Sequence, residues 1–360
     1  MQEKKILLVN YTLTAGGAER YISELANYLV NKNFTITLLL LRKDKLFYSI
    51  DKRIKIVEPD FYNSRFLLGK CFYFFRIIIY IHKNIKRIKP SLILNTAFPF
   101  FFLFSVIGFR IPVVISIRCN PLITGLIEGV KIPLFFRRLV YRRCSAIVAQ
   151  TSFASEILKK QFPNNEVLII PNILTNTIIS TNVRENIIVS AGKLKKSKGF
   201  DYLIDIFKSV VSGDWKLLIL GEGPERNNLN ALIEDYNLRD RVILIGEQKC
   251  IANYFSRSKI FAFTSLTEGF PNVLLEAMAT PLACISFDCN AGPRDLIKDG
   301  ENGFLIEFKN IEEYKSKLRL LMCGEELRDK FMSESIKVRQ LYDLNFIGEE
   351  YLSLIKKYAI

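Results

Sequence analysis

Short runs of branched and aromatic apolar residues, each about one strand long, alternate in this chain with longer stretches of helical period, and the alternation occurs twice. A parallel sheet demands this pattern, because every strand must be carried back by a crossover helix that covers one face of the sheet. The first series places strands at residues 6–10, 35–41, 92–95, 113–117, 146–149 and 167–170. The second places them at 187–190, 216–220, 242–245, 260–264 and 283–287, with helices at 200–210, 311–321 and 325–342. Between the series, residues 171–186 are polar, rich in Asn and Thr, and carry no sustained apolar period, which reads as a linker. With 360 residues there is room for two domains of ordinary size. The expected architecture is α/β: two Rossmann-like domains, 1–178 and 179–342, facing an interdomain cleft, with 343–360 placed to cross back to the first. Ligands of such sheets bind at the carboxyl ends of the strands.

The same reading excludes several classes. The longest apolar run, 97–109, stops at Arg110 and suits a buried helix rather than a membrane span. The stretch 6–9 is too short for a signal peptide's apolar region. Seven cysteines (71, 119, 144, 250, 284, 289 and 323) form no Cys-x-x-Cys pair, as expected of reduced thiols in a cytoplasm. His82 is the only histidine, which removes His-based metal sites and every Ser-His or Cys-His nucleophile system. No metal and no cofactor is expected.

Charge is unevenly placed. Residues 1–180 hold 26 Lys and Arg against 10 Asp and Glu, and the remainder holds 25 against 26. Between Asp60 and Glu128 there is no acidic residue. At about 100° per residue, Arg65, Arg76, Lys83 and Arg87 fall in one helical stripe, flanked by Phe66, Phe74, Phe75, Ile77, Ile78, Ile81 and Ile85. Such a helix suits an anionic membrane surface, or equally is a core helix with a solvated face. No helix-turn-helix, zinc-finger or RNA-recognition pattern accompanies the charge, so nucleic acid is not an expected partner.

Five segments carry candidate chemistry. Gly16-Gly17-Ala18-Glu19-Arg20 opens a helix after the first strand, where free N–H groups favour an anion, although an ordinary strand-to-helix turn looks the same. Gly192-Lys193-Leu194-Lys195-Lys196-Ser197-Lys198-Gly199 lies between a strand and a helix and suits a diphosphate or, alternatively, is a solvated lysine cluster. It lacks the features of a Walker loop. Gly221-Glu222-Gly223-Pro224 begins like a dinucleotide fingerprint, but Arg226 stands in place of the third glycine, so an NAD site is rejected. The fourth runs from Ser265 through Glu268-Gly269-Phe270-Pro271-Asn272-Val273 to Glu276 and Ala279. There a carboxylate lies on either side of a helix start whose N–H groups near Asn272 and Val273 could take a phosphate, leaving Glu268 and Glu276 for hydroxyls. The fifth, Asp288-Cys289-Asn290-Ala291-Gly292-Pro293-Arg294, has the composition of a turn.

In order and spacing these motifs resemble the retaining glycosyltransferases of family 4, which have the two-domain GT-B fold. The likeness covers most of the chain and is densest from Ala191 to Leu305. It implies that Glu268 contacts donor-sugar hydroxyls, Glu276 the ribose, and Lys198 the donor diphosphate. Gly16, Gly17, Lys193, Gly269, Phe270, Pro271, Asn272 and Val273 complete the implied donor site. Glu268, Lys198 and Lys193 carry the catalytic part, Lys193 standing where the family usually has arginine. Where many members have a histidine, this chain has Ser116-Ile117-Arg118, which makes Arg118 a candidate acceptor contact. The stretch 287–297 is similar to a branch that builds lipid-linked surface glycans such as O-antigen or capsule. The implied reaction moves a hexose or N-acetylhexosamine from a UDP-sugar to a polyprenyl-diphosphate-linked acceptor. The implied location is the cytoplasmic face of the inner membrane, as a peripheral protein on its anionic surface. A sugar phosphorylase, a nucleotide-sugar epimerase and a basic nucleic-acid-binding protein are the competing readings.

Overall fold

The computed structural model describes residues 4–14, 16–61, 67–97, 99–122, 126–127, 130–174 and 183–359. In chain order its elements are β1 (Lys5–Asn10), α1 (Gly17–Asn31), β2 (Thr35–Leu40), β3 (Lys55–Val57), α2 (Leu67–Ile88), β4 (Leu92–Asn95), α3 (Pro99–Ser105), β5 (Val113–Ser116), β6 (Leu126–Ile127), β7 (Val130–Lys131), α4 (Leu134–Tyr141), β8 (Ala146–Ala149), α5 (Ser152–Gln161) and β9 (Val167–Ile169). They continue with β10 (Ile187–Ala191), α6 (Phe200–Val210), β11 (Lys216–Leu220), α7 (Arg226–Asp235), β12 (Val242–Gly246), α8 (Ala252–Arg257), β13 (Ile260–Phe263), α9 (Asn272–Ala279), β14 (Ala283–Phe287), α10 (Pro293–Leu296), β15 (Phe304–Ile306), α11 (Ile311–Cys323), α12 (Glu325–Ser335), α13 (Val338–Leu341) and α14 (Leu344–Tyr358).

The chain divides into two compact units, Met1–Ile173 with Leu344–Ile360, and Leu174–Asp343. The expected boundary at 178 falls among residues 175–182, outside the described residues.

In the first unit a parallel sheet has the order β3-β2-β1-β4-β5-β8-β9. Alternate residues of one strand feed opposite cores, as the pleat requires. Ile6 and Leu8 face a cluster with α1 and α14, while Leu7 and Val9 face one formed with α2, α3, α4 and α5. The last helix thus belongs to the first unit: Tyr28 Oη donates to Glu349 Oε1 at 2.9 Å, and the Tyr21 and Tyr351 rings lie 5.8 Å apart.

The second unit has the order β12-β11-β10-β13-β14-β15, again parallel. Leu217 and Ile219 pack with α6, α7, α11 and α12, whereas Leu218 and Leu220 pack with α8, α9 and α10.

Two expectations require correction. The stretch 325–342 is two helices, because Ser335 Oγ and Arg339 Nε donate to the carbonyls of Met278 and Ala279 at the end of α9, and the chain turns to do so. The run 97–109 forms only α3, with Phe102, Leu103 and Val106 buried but Phe104 and Ile107 exposed. Of the two readings of α2, the core helix accounts for Ile77, Ile81 and Ile85, which are buried, while Phe75 is exposed. Arg65 and Phe66 lie outside the described residues. The strands β3, β6, β7 and β15, each two or three residues long, are additions to the expected set.

Candidate active site

The order of a parallel sheet reverses at one point, and the loops leaving the two strands there splay to opposite sides and open a crevice. In the second unit that point lies between β10 and β13. The loop after β10 is 192–199 and the loop after β13 is 264–271, so sheet topology brings the lysine-rich motif and the Glu268 motif together.

Backbone hydrogen bonds hold the first loop in place. Gly192 N–H donates to Leu220 O at 2.9 Å, Leu194 N–H to Glu222 O at 2.9 Å, and Glu225 N–H returns to Leu194 O at 3.0 Å. The Gly221-x-Gly223 pair serves this contact: a Cβ on Gly221 would overlap the Gly192 carbonyl, and one on Gly223 the Leu194 carbonyl. Its role here is close packing of two loops, not a dinucleotide turn. Gly199 then starts α6 in the left-handed region at φ 62°, where a Cβ would overlap the carbonyl of Thr264. Leu266 N–H donates to Ser197 O at 2.9 Å, so the two loops are joined along their backbones.

On this frame Lys198 Nζ meets Glu268 Oε1 at 2.5 Å, and Ser265 Oγ donates to the same oxygen at 2.6 Å. The two side chains are only 16% and 10% exposed. An ion pair so far out of water is held by geometry and strongly resists loss of one partner, unlike a surface pair. Glu268 Oε2 takes no donor among the described residues. Cys289 closes one wall. Burial pushes its thiol up to about 12, the Glu268 carboxylate adding to the rise and the Lys198 ammonium opposing it. The turn-like fifth motif has a structural part as well, since Glu268 N–H donates to Asn290 O at 3.3 Å and Thr267 bridges Asn290.

Beyond Glu268 the chain runs through Gly269 and the buried Phe270 and Pro271 into α9. Of the two N–H groups expected to face an anion, that of Asn272 is spent on Phe270 O at 3.0 Å. That of Val273 has no acceptor among the described residues. Glu276 stands in the second turn of α9 and shares a helix face with Asn272 four residues earlier. Both are half-buried, while Leu274, Leu275, Ala277 and Met278 point into the core. Lys193 is exposed with no carboxylate partner among the described residues.

Three expected site residues belong to the first unit. Gly16 exchanges hydrogen bonds with Tyr48, its N–H donating to Oη at 3.1 Å and its carbonyl accepting from Oη at 3.0 Å. Gly17 is exposed at the start of α1. The Arg118 guanidinium lies 3.5 Å over the Tyr21 ring and donates to Asn172 Oδ1 at 2.8 Å and to Tyr351 Oη. These contacts tie the end of β5 to the segment before the second unit and to α14.

Ser265 and Cys289 are site residues that the sequence reading did not single out. Ser265 opens the fourth motif and could have been found as a hydroxyl three residues before a carboxylate. Nothing local marks Cys289, which reaches Glu268 only through the pairing of the loops after β13 and β14.

Residues 15–174 match the family description Glycosyltransferase Family 4, and residues 176–338 match Glycosyl transferases group 1. This chain belongs to the family 4 glycosyltransferases. AmsD of Erwinia amylovora, an amylovoran biosynthesis glycosyltransferase, is 27% identical over 91% of this chain and 92% of its own. A Campylobacter jejuni enzyme, N-acetylgalactosamine-N,N'-diacetylbacillosaminyl-diphospho-undecaprenol 4-alpha-N-acetylgalactosaminyltransferase, is 26% identical over 98% of this chain and 99% of its own. The solved structure of HepE from Anabaena, in complex with UDP and glucose, has a TM-score of 0.77 at 15% identity, covering 99% of this chain and 100% of HepE. The glycosyltransferase therefore has the GT-B fold, its two parallel sheets being the two Rossmann-like domains.

Proposed function

We propose that this glycosyltransferase moves a hexose or N-acetylhexosamine from a UDP-sugar to a glycan carried on a polyprenyl diphosphate, retaining the anomeric configuration, in the synthesis of a bacterial surface polysaccharide. The observation that carries the proposal is the Lys198–Glu268 pair at the switch point of the second sheet, beside the Val273 N–H at the start of α9. Relatives named for undecaprenol-diphosphate acceptors, and structural neighbours holding UDP, support the acceptor and donor classes.

In the proposed reaction the bond from the anomeric carbon to the diphosphate breaks as the acceptor oxygen bonds to the same face, and the acceptor proton passes to the departing diphosphate. Negative charge grows on that diphosphate. Preorganised donors are worth most where charge develops in a site with little water. Lys193 and Lys198 supply the cations and Val273 the N–H, while the free Oε2 of Glu268 orients the donor sugar and Glu276 the ribose. No protein nucleophile, metal or cofactor takes part. A lipid-linked acceptor requires the enzyme to work as a peripheral protein on the cytoplasmic face of the inner membrane.

A thermal-shift titration with UDP, GDP and ADP tests the donor site. At 100 times its dissociation constant a ligand stabilises the native state by about 2.7 kcal/mol. UDP is expected to raise the midpoint, with the rise lost in Glu276→Ala. In a transfer assay with a polyprenyl-diphosphate glycan, Glu268→Gln is expected to lower turnover by roughly 100-fold or more. Preference for GDP or ADP would overturn the donor, and phosphate-dependent release of sugar phosphate would favour a phosphorylase instead.

A further inference from the structure

An amphipathic helix in a water-soluble domain buries its apolar side chains and exposes its charges. In α4, of sequence Leu-Phe-Phe-Arg-Arg-Leu-Val-Tyr, that arrangement is broken, because Arg137 is turned inward while four large apolar residues are turned outward. Its inward residues are Arg137, 6% exposed, and Tyr141 one turn later. The Arg137 guanidinium lies 5.3 Å over the Phe162 ring, and Nη2 donates to Gln161 Oε1 at 3.3 Å. Phe135, at 71% exposed, faces solvent together with Leu134, Phe136 and Leu139. The Phe135 and Phe136 rings meet edge to face, 5.7 Å apart.

Neighbouring helices of the same layer also expose apolar residues. α4 packs on α3, and α3 on α2, within the layer that covers one face of the first sheet. The outward residues of this layer include Phe104 of α3 and Phe75 and Ile79 of α2. Lys83 and Lys86 extend the α2 stripe, and Arg142 follows α4 directly, all three exposed. Glu128 is the sole acidic residue between Asp60 and Glu156, so no helix of this layer from α2 to α4 carries a carboxylate. A surface that combines large exposed apolar groups with uncompensated cations complements an anionic bilayer, whose headgroups attract the cations and whose acyl region takes up the rings.

We propose that the outer face of the α2–α3–α4 layer is the membrane-docking surface of this protein, with Phe135, Phe136 and Leu139 entering the headgroup boundary of an anionic bilayer. Lys83, Lys86 and Arg142 meet the lipid phosphates. This deepens the proposed membrane location and assigns it to the outward side chains of α2, α3 and α4, not to Ile77, Ile81 and Ile85 of α2, which are core. Its test needs no sugar donor and stands apart from the transfer reaction.

The experiment is flotation of the full chain with vesicles of phosphatidylglycerol and phosphatidylcholine, and with phosphatidylcholine alone, at low and high salt. Binding is expected only to the anionic vesicles and is expected to weaken as salt rises. Replacing Phe135, Phe136 and Leu139 together by Ser is expected to lower partitioning about tenfold or more. These residues are exposed, and the UDP-induced thermal shift should persist in the triple variant, which separates loss of docking from loss of the donor site. A parent protein that does not float, a triple variant that floats as well as the parent, or equal binding to phosphatidylcholine overturns the proposal. So does conversion of a dimer to a monomer by the same substitutions, which would make a second copy of the chain the occupant of this face.

Discussion

Glu268 Oε1 accepts from both Lys198 and Ser265, and in the proposed reaction Oε2 is the oxygen that meets the donor sugar. The first arrangement holds the second in position, which is how a buried carboxylate can be rigid and still recognise a hydroxyl. Glu268 and Glu276 were legible as candidates because two carboxylates lie on either side of one helix start, and Lys198 because of the resemblance to the family's motif. That Lys198 would be Glu268's own partner was not legible, since 70 residues separate them. Cys289 allows a direct test of the site's dryness. Its thiol is pushed up to about 12, whereas an unperturbed thiol ionises near 9. Between those values the folded chain keeps a proton that the unfolded chain releases, so stability falls as pH rises through the window. The midpoint of the parent is therefore expected to fall more steeply across that window than that of Cys289→Ala, by up to about 1.4 kcal/mol per pH unit. Equal slopes in a pH series of thermal melts would show that the thiol is not so buried.

Among the elements, α14 has the most specific fit. Gly348 faces the Tyr28 ring, and a Cβ there would overlap the ring carbons. The ring has little freedom to give way, because Tyr28 Oη is bonded to Glu349 and the Lys32 ammonium meets the same carboxylate at 3.0 Å. Alanine in place of a mid-helix glycine ordinarily stabilises a helix by about 0.5–1 kcal/mol. Overpacking a close helix contact costs about 1–3 kcal/mol, so here the second effect wins. Gly348→Ala is expected to lower the thermal midpoint, and a rise measured by calorimetry would mean that α1 and α14 separate without cost. Helix periodicity identified α1, and a terminal segment crossing back was expected, but which glycine lets the two helices touch depends on the docked geometry alone.

For the whole molecule, chain order and unit membership differ: the last 17 residues, Leu344–Ile360, complete a unit that otherwise ends at Ile173. Ile347, Tyr351, Leu352, Leu354 and Ile355 are buried in the core beneath α1. At about 1.5–3 kcal/mol per large apolar side chain, their removal costs an amount similar to the roughly 5–15 kcal/mol that stabilises a domain. A chain ending before Leu344 is thus expected to lose protection from hydrogen exchange in residues 4–173 while 183–343 stay protected. Protection retained in both would mean that α14 is dispensable to the first sheet.

The sequence by itself determined the α/β class, the two series of parallel strands and the basic first half. These follow from local period, charge and turn chemistry, which neighbouring residues settle among themselves. Only the tertiary structure decided that Lys198 pairs with Glu268, that the Asn272 N–H is spent on Phe270 while that of Val273 is not, and that α2 buries the isoleucines of its stripe. It also decided that α4 buries an arginine and exposes its phenylalanines. Each of these depends on which strands are neighbours and which helix faces meet, and that is set by packing between segments far apart in the chain.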